Sequence, residues 1–143
     1  MQLATIGYEK ATLDDVIARL QAAGVQVLID VRAVAASRRA GFSKTLLGNT
    51  LRAHGIDYLH LRALGTPKAG RMAARAGRYT EMREIFEGQL ATPEAQLQLA
   101  QAAEVAQARP AALLCYEGEA AHCHRAVVAE RLRERLGCTV VDL

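Results

Sequence analysis

The sequence has no tryptophan and only six aromatic residues, two phenylalanines and four tyrosines. So few aromatic side chains make a base-stacking platform for single-stranded nucleic acid a weak hypothesis. The chain also lacks a glycine-rich phosphate-binding loop, which disfavours an ATP-hydrolysing or nicotinamide-dependent enzyme, and no cofactor is expected. It shows no helix-turn-helix pattern, and its net charge of +3 is modest for a protein that binds double-stranded DNA.

Long apolar runs are missing as well. No run of 18 apolar residues occurs, so the sequence predicts no membrane span. The first ten residues, MQLATIGYEK, lack the basic start, apolar core and cleavage site of a signal peptide. Three cysteines, an odd number, argue against a disulfide framework in such a chain. These absences predict a cytoplasmic protein with no membrane partner.

What is present fits a globular protein. A length of 143 residues with 51% hydrophobic residues predicts a single domain that spans residues 1–143. Arginines far outnumber the three lysines, and the planar guanidinium group suits phosphate and carboxylate recognition. A genome rich in G and C would give the same excess, so only local arginine clusters count as evidence. The sequence is compatible with a homodimer but does not define the oligomeric state.

Strands and helices alternate along the chain. Short apolar runs predict five strands, at 3–7, 25–32, 56–61, 111–116 and 138–143. Amphipathic segments predict helices at 11–24, 43–55, 80–90, 92–108 and 122–137, with an irregular basic segment at 62–80. This alternation predicts a three-layer α/β fold: an open, mostly parallel five-stranded sheet with helices on both faces, Rossmann-like, with a strand order such as 3-2-1-4-5.

Polar clusters directly follow three of the predicted strands. They are Gly7-Tyr8-Glu9, Asp30-Val31-Arg32 and Cys115-Tyr116-Glu117. If the three strands are neighbours, their carboxyl ends line one crevice, where the ligands of such sheets bind.

The densest polar stretch is CYEGEAAHCHR, which begins at Cys115. A helix that starts near His122 would direct free N–H groups and its positive dipole end into the crevice. His122, His124 and Arg125 would then bind a phosphate or carboxylate there. A capping network between Arg125 and the nearby glutamates, without any ligand, is the alternative.

The same stretch holds four residues that are competent metal ligands, Cys115, His122, Cys123 and His124. Their spacing is unlike that of structural zinc sites, because six residues separate Cys115 from His122 and the other three are consecutive. Consecutive residues at a helix start would point in different directions. The spacing therefore predicts no metal ligands, and a Cys/His metal-binding protein is the lesser alternative.

Three side chains are candidates for catalysis. Cys123, at a helix start beside histidine and arginine, has the surroundings of a reactive thiolate, although a small residue in a tight turn is the plainer interpretation. Glu117 and Asp30 could act as general acid, general base or nucleophile. The alternative for Asp30 is a buried ion pair with Arg32. Cys115, at the end of an apolar strand, is interpreted as a packing residue.

The stretch after Asp30 supplies candidate anion ligands. Arg32, Arg38 and Arg39 could clamp an anion, and Tyr8 could add a hydroxyl group. An exposed charged loop would have the same composition.

Taken in order, the segments TIGYE (5–9), DVR (30–32), SRRAGFSK (37–44), YLHLRALG (58–65) and CYEGEAAHCHR (115–125) resemble the family called domain of unknown function 488, or DUF488. The C-x-E-x4-H-C-H-R signature carries most of the resemblance. Alanine stands at positions 35 and 120, where the family often has proline. The resemblance implies a compact α/β fold with a shared polar crevice, and it implies no established reaction.

Two functions from different classes fit these observations. The first is a small enzyme that acts on a phosphorylated, nucleotide-like or nucleic-acid substrate, with a glycosidic or transferase step suggested by analogy. The second is a non-catalytic regulatory module that binds an anion or nucleic acid. Catalysis would depend steeply on Glu117 or Cys123, whereas a binding module would depend mainly on the arginines.

Overall fold

The predicted alternation of strands and helices runs through the whole computed structural model, which describes residues 1–143. The strands are β1 (Gln2–Gly7), β2 (Val27–Asp30), β3 (Asp57–His60), β4 (Ala111–Cys115) and β5 (Thr139–Asp142). The helices are α1 (Leu13–Ala22), α2 (Lys44–Ala53), α3 (Lys68–Arg75), α4 (Tyr79–Leu90), α5 (Pro93–Ala108) and α6 (Arg125–Leu136). Two short 3-10 helices cover Arg62–Leu64 and Ala120–His122.

All five strands are parallel and form one sheet in the order β3-β2-β4-β1-β5. The predicted three-layer α/β fold is confirmed. The order differs from 3-2-1-4-5 by an exchange of the two central strands, so that β4 lies between β2 and β1. The three strands that carry the polar clusters are therefore contiguous.

Two hydrophobic cores cover the two faces of the sheet. Leu28 and Leu114 belong to the core beneath α1 and α2. Ile29 and Leu113, their neighbours in the chain, belong to the core beneath α4, α5 and α6. Because side chains alternate across a strand, strands buried on both faces are apolar on both, which is why β4 and residues 27–29 of β2 carry no polar side chain.

Local signals fix several helix ends. Thr12 and Asp15 form a capping box at the start of α1, Thr92 caps α5, and Gly137 ends α6 with a φ of 65°. Helix α6 starts at Arg125, three residues later than predicted. No helix combines the length and the apolar character that crossing a membrane requires.

The segment 62–80 is more ordered than predicted. It contains a 3-10 helix and α3, and Gly70 lies inside α3. A Cβ atom at Gly70 would overlap the hydroxyl oxygen of Thr66. Glycine is therefore required for close packing of the first turn and does not break the helix here. The prediction of irregular structure is wrong for residues 68–75.

Candidate functional site

The carboxyl ends of β1, β2 and β4 meet at one edge of the sheet. Gly7 is in register with Cys115, and Asp30 is in register with Leu114. The predicted common edge is confirmed. From this edge β1 continues towards α1 on one face, and β4 continues towards α6 on the other. Such a divergence of neighbouring connections opens a crevice between the strands.

A cavity of about 1240 Å³ occupies this edge. Its basic lining residues are Lys10, Arg32, Arg38, Arg39, Arg71 and Arg75, and its acidic ones are Glu9, Glu117 and Glu119. Cations outnumber carboxylates in the lining by two to one, so the lining has a net positive charge.

Cys115, Cys123 and His124 form a buried cluster in the wall of the cavity. Their ligand atoms all lie within 4.8 Å of one another. Nδ1 of His124 is 3.8 Å from Sγ of Cys115 and 3.7 Å from Sγ of Cys123. The spacing argument against convergence is thus wrong for these three residues, because the loop after β4 returns the chain to the end of that strand. His122 remains outside the cluster.

The orientation of the His124 ring is fixed from the far side. Nε2 lies 2.7 Å from the carbonyl oxygen of Val31. A carbonyl can only accept a hydrogen bond, so Nε2 is the donor and Nδ1 is the atom that faces the two thiols. The ring also makes an edge-to-face contact with Phe86, with 5.0 Å between the ring centroids.

The pKa values of the two thiols are shifted in opposite directions. Burial opposes ionisation of Cys123, but the hydrogen bond with Cys115 and the neighbouring His124 and Arg125 lower its pKa well below the usual value. The hydrogen bond with Cys123, together with burial, raises the pKa of Cys115. For His124, burial lowers the pKa, and the adjacent Cys123 sulfur outweighs it and raises the pKa overall.

Glu117 lines the cavity next to the cluster. Its Oε2 atom is 3.6 Å from Sγ of Cys115, and the side chain is half-buried. Burial, followed by the negative charge of Cys123, raises the pKa of Glu117 to about 7.

Asp30 has a structural role. Its side chain is fully buried and pairs with Arg32, with Nη2 of Arg32 2.7 Å from Oδ2. Oδ1 accepts hydrogen bonds from the backbone and Nε of Arg32, and the Tyr58 hydroxyl donates to Oδ2 at 2.5 Å. Both oxygens are saturated, so the geometry favours the ion-pair interpretation over acid–base catalysis.

Arg125 points into the protein interior in this arrangement. It is fully buried, absent from the cavity lining, and donates hydrogen bonds to the carbonyl oxygens of Glu117 and Gly118. Its burial and these two hydrogen bonds favour the capping-network interpretation of Arg125 over the predicted contact with a ligand. The guanidinium group thereby holds the loop that carries Glu117.

The other predicted anion ligands line the cavity but differ in their burial and in their hydrogen-bond partners. Tyr8 and Arg32 are buried, and the Arg32 guanidinium donates to the Tyr8 hydroxyl at 3.2 Å. Arg39 is tied to the carbonyl oxygen of Ala11. Arg38 is exposed. His122 lies at the rim, where it stacks on Tyr79 with 4.1 Å between ring centroids.

Sequence reasoning missed the contribution of α3 and α4. Arg71 and Arg75 face the cavity from α3, and Thr66 and Tyr79 line it beside them. Positions 71 and 75 are one helical turn apart and so share a face. That spacing could have predicted a basic helix face at this position. It was not used because the segment was interpreted as irregular.

A parallel α/β sheet with a basic, thiol-containing cavity at its carboxyl edge describes the class of protein. The family model for Domain of unknown function DUF488 matches residues 12–132, and the chain belongs to this family. No curated protein and no solved structure matches the chain.

Proposed function

We propose that the protein is an enzyme that acts on a substrate with an anionic group, such as a phosphorylated or nucleotide-like molecule. The proposal rests on two features of one cavity: basic side chains at its rim, and the buried cluster of Cys115, Cys123 and His124. The basic side chains at the rim would suffice to bind an anion. The cluster adds reactive groups next to the bound ligand, which a pure binding module would not need.

The rim offers two guanidinium groups that can reach a ligand. Arg38 and Arg75 are exposed and line the cavity from different segments. Neither belongs to any of the six ion pairs of the chain. Arginine binds phosphate or carboxylate through two parallel hydrogen bonds, so these two residues supply binding and orientation.

Glu117 is the residue best placed for proton transfer. Its carboxylate lies beside Cys115, lines the cavity and is half-buried. Arg125 holds the Glu117 carbonyl and so limits the motion of this residue. A positioned carboxylate next to a reaction centre can accept or donate the proton that the substrate exchanges.

The binding half of the proposal is tested by calorimetry with inorganic phosphate and mononucleotides. Arg38→Gln and Arg75→Gln should each weaken binding about tenfold, because each variant loses a charge-assisted hydrogen bond to the anion. Arg133→Gln on the exposed face of α6 is the matched control. Equal affinities in all three variants and the wild type would exclude the cavity as the anion site.

The catalytic half is tested with a panel of phosphomonoesters and nucleotides. Glu117→Gln should abolish turnover while it retains anion binding, because the amide keeps the shape of the side chain and loses proton transfer. Arg38→Gln should act mainly through KM. Unchanged turnover in Glu117→Gln would contradict the assigned role. Anion binding without turnover of any member of the panel would favour the regulatory module.

A further inference from the structure

We propose that Cys115, Cys123 and His124 are the protein ligands of a zinc ion whose fourth coordination position faces the cavity. The metal site stands on its own geometry, and its link to catalysis rests on the proposed function. A zinc site with three protein ligands and one open coordination position is typical of catalytic rather than structural zinc centres.

The distances within the cluster fit such an ion. Zn–S bonds of about 2.3 Å and Zn–N bonds of about 2.0–2.1 Å in a tetrahedron place sulfur and nitrogen about 3.6 Å apart. Nδ1 of His124 lies 3.8 Å from one sulfur and 3.7 Å from the other. Both nitrogen-to-sulfur distances are therefore within about 0.2 Å of the tetrahedral value, and the two sulfurs lie within 4.8 Å of each other.

The groups around the cluster orient the ligands as in metal centres. The Val31 carbonyl holds Nε2 of His124, which leaves Nδ1 to face the sulfurs. The backbone N–H of Arg125 points at Sγ of Cys123 from 3.5 Å. A ligating histidine with its second nitrogen bonded to a carbonyl, and a thiolate that accepts a backbone hydrogen bond, are the outer-shell contacts that tune such a site.

The cavity side of the cluster is where the fourth position opens. All three ligands line the cavity, although each is more than nine-tenths buried. Glu117 approaches Cys115 from this side but does not belong to the group of mutually close ligand atoms. It is therefore placed beside the fourth position, where a zinc-bound water or a substrate atom would lie.

The ligand set selects the class of metal. Two thiolates and one imidazole suit zinc and disfavour magnesium or calcium, which prefer oxygen ligands. The arrangement also differs from ordinary packing of buried cysteines. A cysteine that only fills space in the core does not require an imidazole nitrogen directed at its sulfur.

The test uses full-length protein purified without a polyhistidine tag and stripped with a chelator. Titration with Zn²⁺, and with Co²⁺ as a spectroscopic probe, should give one equivalent bound, with the sulfur-to-cobalt charge-transfer bands of a tetrahedral thiolate site. Cys123→Ser and Cys115→Ser should each weaken binding more than the roughly 10–100-fold expected for an outer-shell partner. Cys138→Ser is the matched control, because Cys138 is also buried and lies before β5, away from the cavity.

Zinc X-ray absorption of the wild type keeps the proposal testable if a serine variant does not fold. The expected first shell has two sulfurs at about 2.3 Å and two nitrogen or oxygen atoms at about 2.0–2.2 Å. A shell with fewer than two sulfurs, or no stoichiometric binding, would overturn the metal site. Turnover of an anionic substrate by a protein that does not bind zinc would leave the proposed function standing, whereas zinc binding without turnover would leave only the metal site.

Discussion

The Nε2 atom of His124 lies 2.7 Å from the carbonyl oxygen of Val31, the residue that follows β2. This contact joins α6 to the central strands and turns Nδ1 towards the thiols. We expect nitrogen-15 NMR of the zinc-loaded protein to show His124 with its proton on Nε2. His54 is the internal comparison, because its Nδ1 faces the Thr50 carbonyl at 2.9 Å and should carry the proton. A proton on Nδ1 of His124 would contradict the assignment of this atom as a ligand.

Arg125 should stabilise the protein without contacting the ligand. Its guanidinium donates to the carbonyls of Glu117 and Gly118 from a fully buried position. Hydrogen bonds from a charged donor contribute about 1.5–3 kcal/mol each, so Arg125→Ala should lower the free energy of unfolding by roughly 3 kcal/mol. Urea unfolding measures this change. Arg133→Ala, on the exposed face of the same helix, should leave the midpoint nearly unchanged, and an equal effect of the two substitutions would refute the role.

Gly7 allows the loop after β4 to lie against the end of β1. A Cβ atom at this position would overlap the Glu117 carbonyl and lie 3.1 Å from Nη1 of Arg125. Gly7→Ala should therefore cost at least about 2 kcal/mol of stability and displace Glu117. Gly88→Ala in α4, where nothing lies within 4 Å, should instead stabilise the protein by about 0.5–1 kcal/mol. Chemical denaturation of both variants checks the opposite signs, and a stable Gly7→Ala protein would count against the close approach.

Tyr58 should make stability sensitive to alkaline pH. Burial, followed by the charge of Asp30, raises the pKa of Tyr58 above its usual value. The unfolded chain loses this proton near pH 10 and the folded protein does not, so the stabilisation is present below about pH 10 and is lost as the pH rises beyond it. One proton contributes a slope of up to about 1.4 kcal/mol per pH unit.

Urea unfolding from about pH 9 to 11 should therefore be less steep in pH for Tyr58→Phe than for the wild type. Tyr58→Phe should also be less stable at neutral pH, since it lacks the hydrogen bond to Asp30. Tyr116→Phe, at an exposed tyrosine, is the matched control. Parallel curves for Tyr58→Phe and the wild type would disprove the linkage.

The sequence predicted the layers of the fold because local patterns encode them. Capping residues such as Thr12 and Thr92 and the apolar runs of β2 and β4 mark most elements to within a few residues. The positions of β1 and β4 in the sheet depend on pairing between strands that are far apart in the chain, and no local pattern records that pairing. Helix α3 was missed because Gly70, which packs on Thr66, resembles a helix breaker.

The site was predictable in position but not in the direction of its side chains. Parallel topology places Cys115, Glu117 and Arg32 at one edge, as expected from their strands. Whether a residue at a helix start faces the cavity or the interior depends on how the helix is rotated, and Arg125 faces the interior. The convergence of Cys115 with Cys123 and His124 likewise depends on the path of the loop, which spacing alone does not reveal.

A crystal structure of the wild type grown with Zn²⁺ and phosphate, with anomalous data at the zinc edge, tests the account most directly. We expect one anomalous peak bonded to the sulfurs of Cys115 and Cys123 and to Nδ1 of His124, with phosphate in the same cavity against Arg38 or Arg75. A zinc peak away from the two thiols together with phosphate bound only outside the cavity would contradict it.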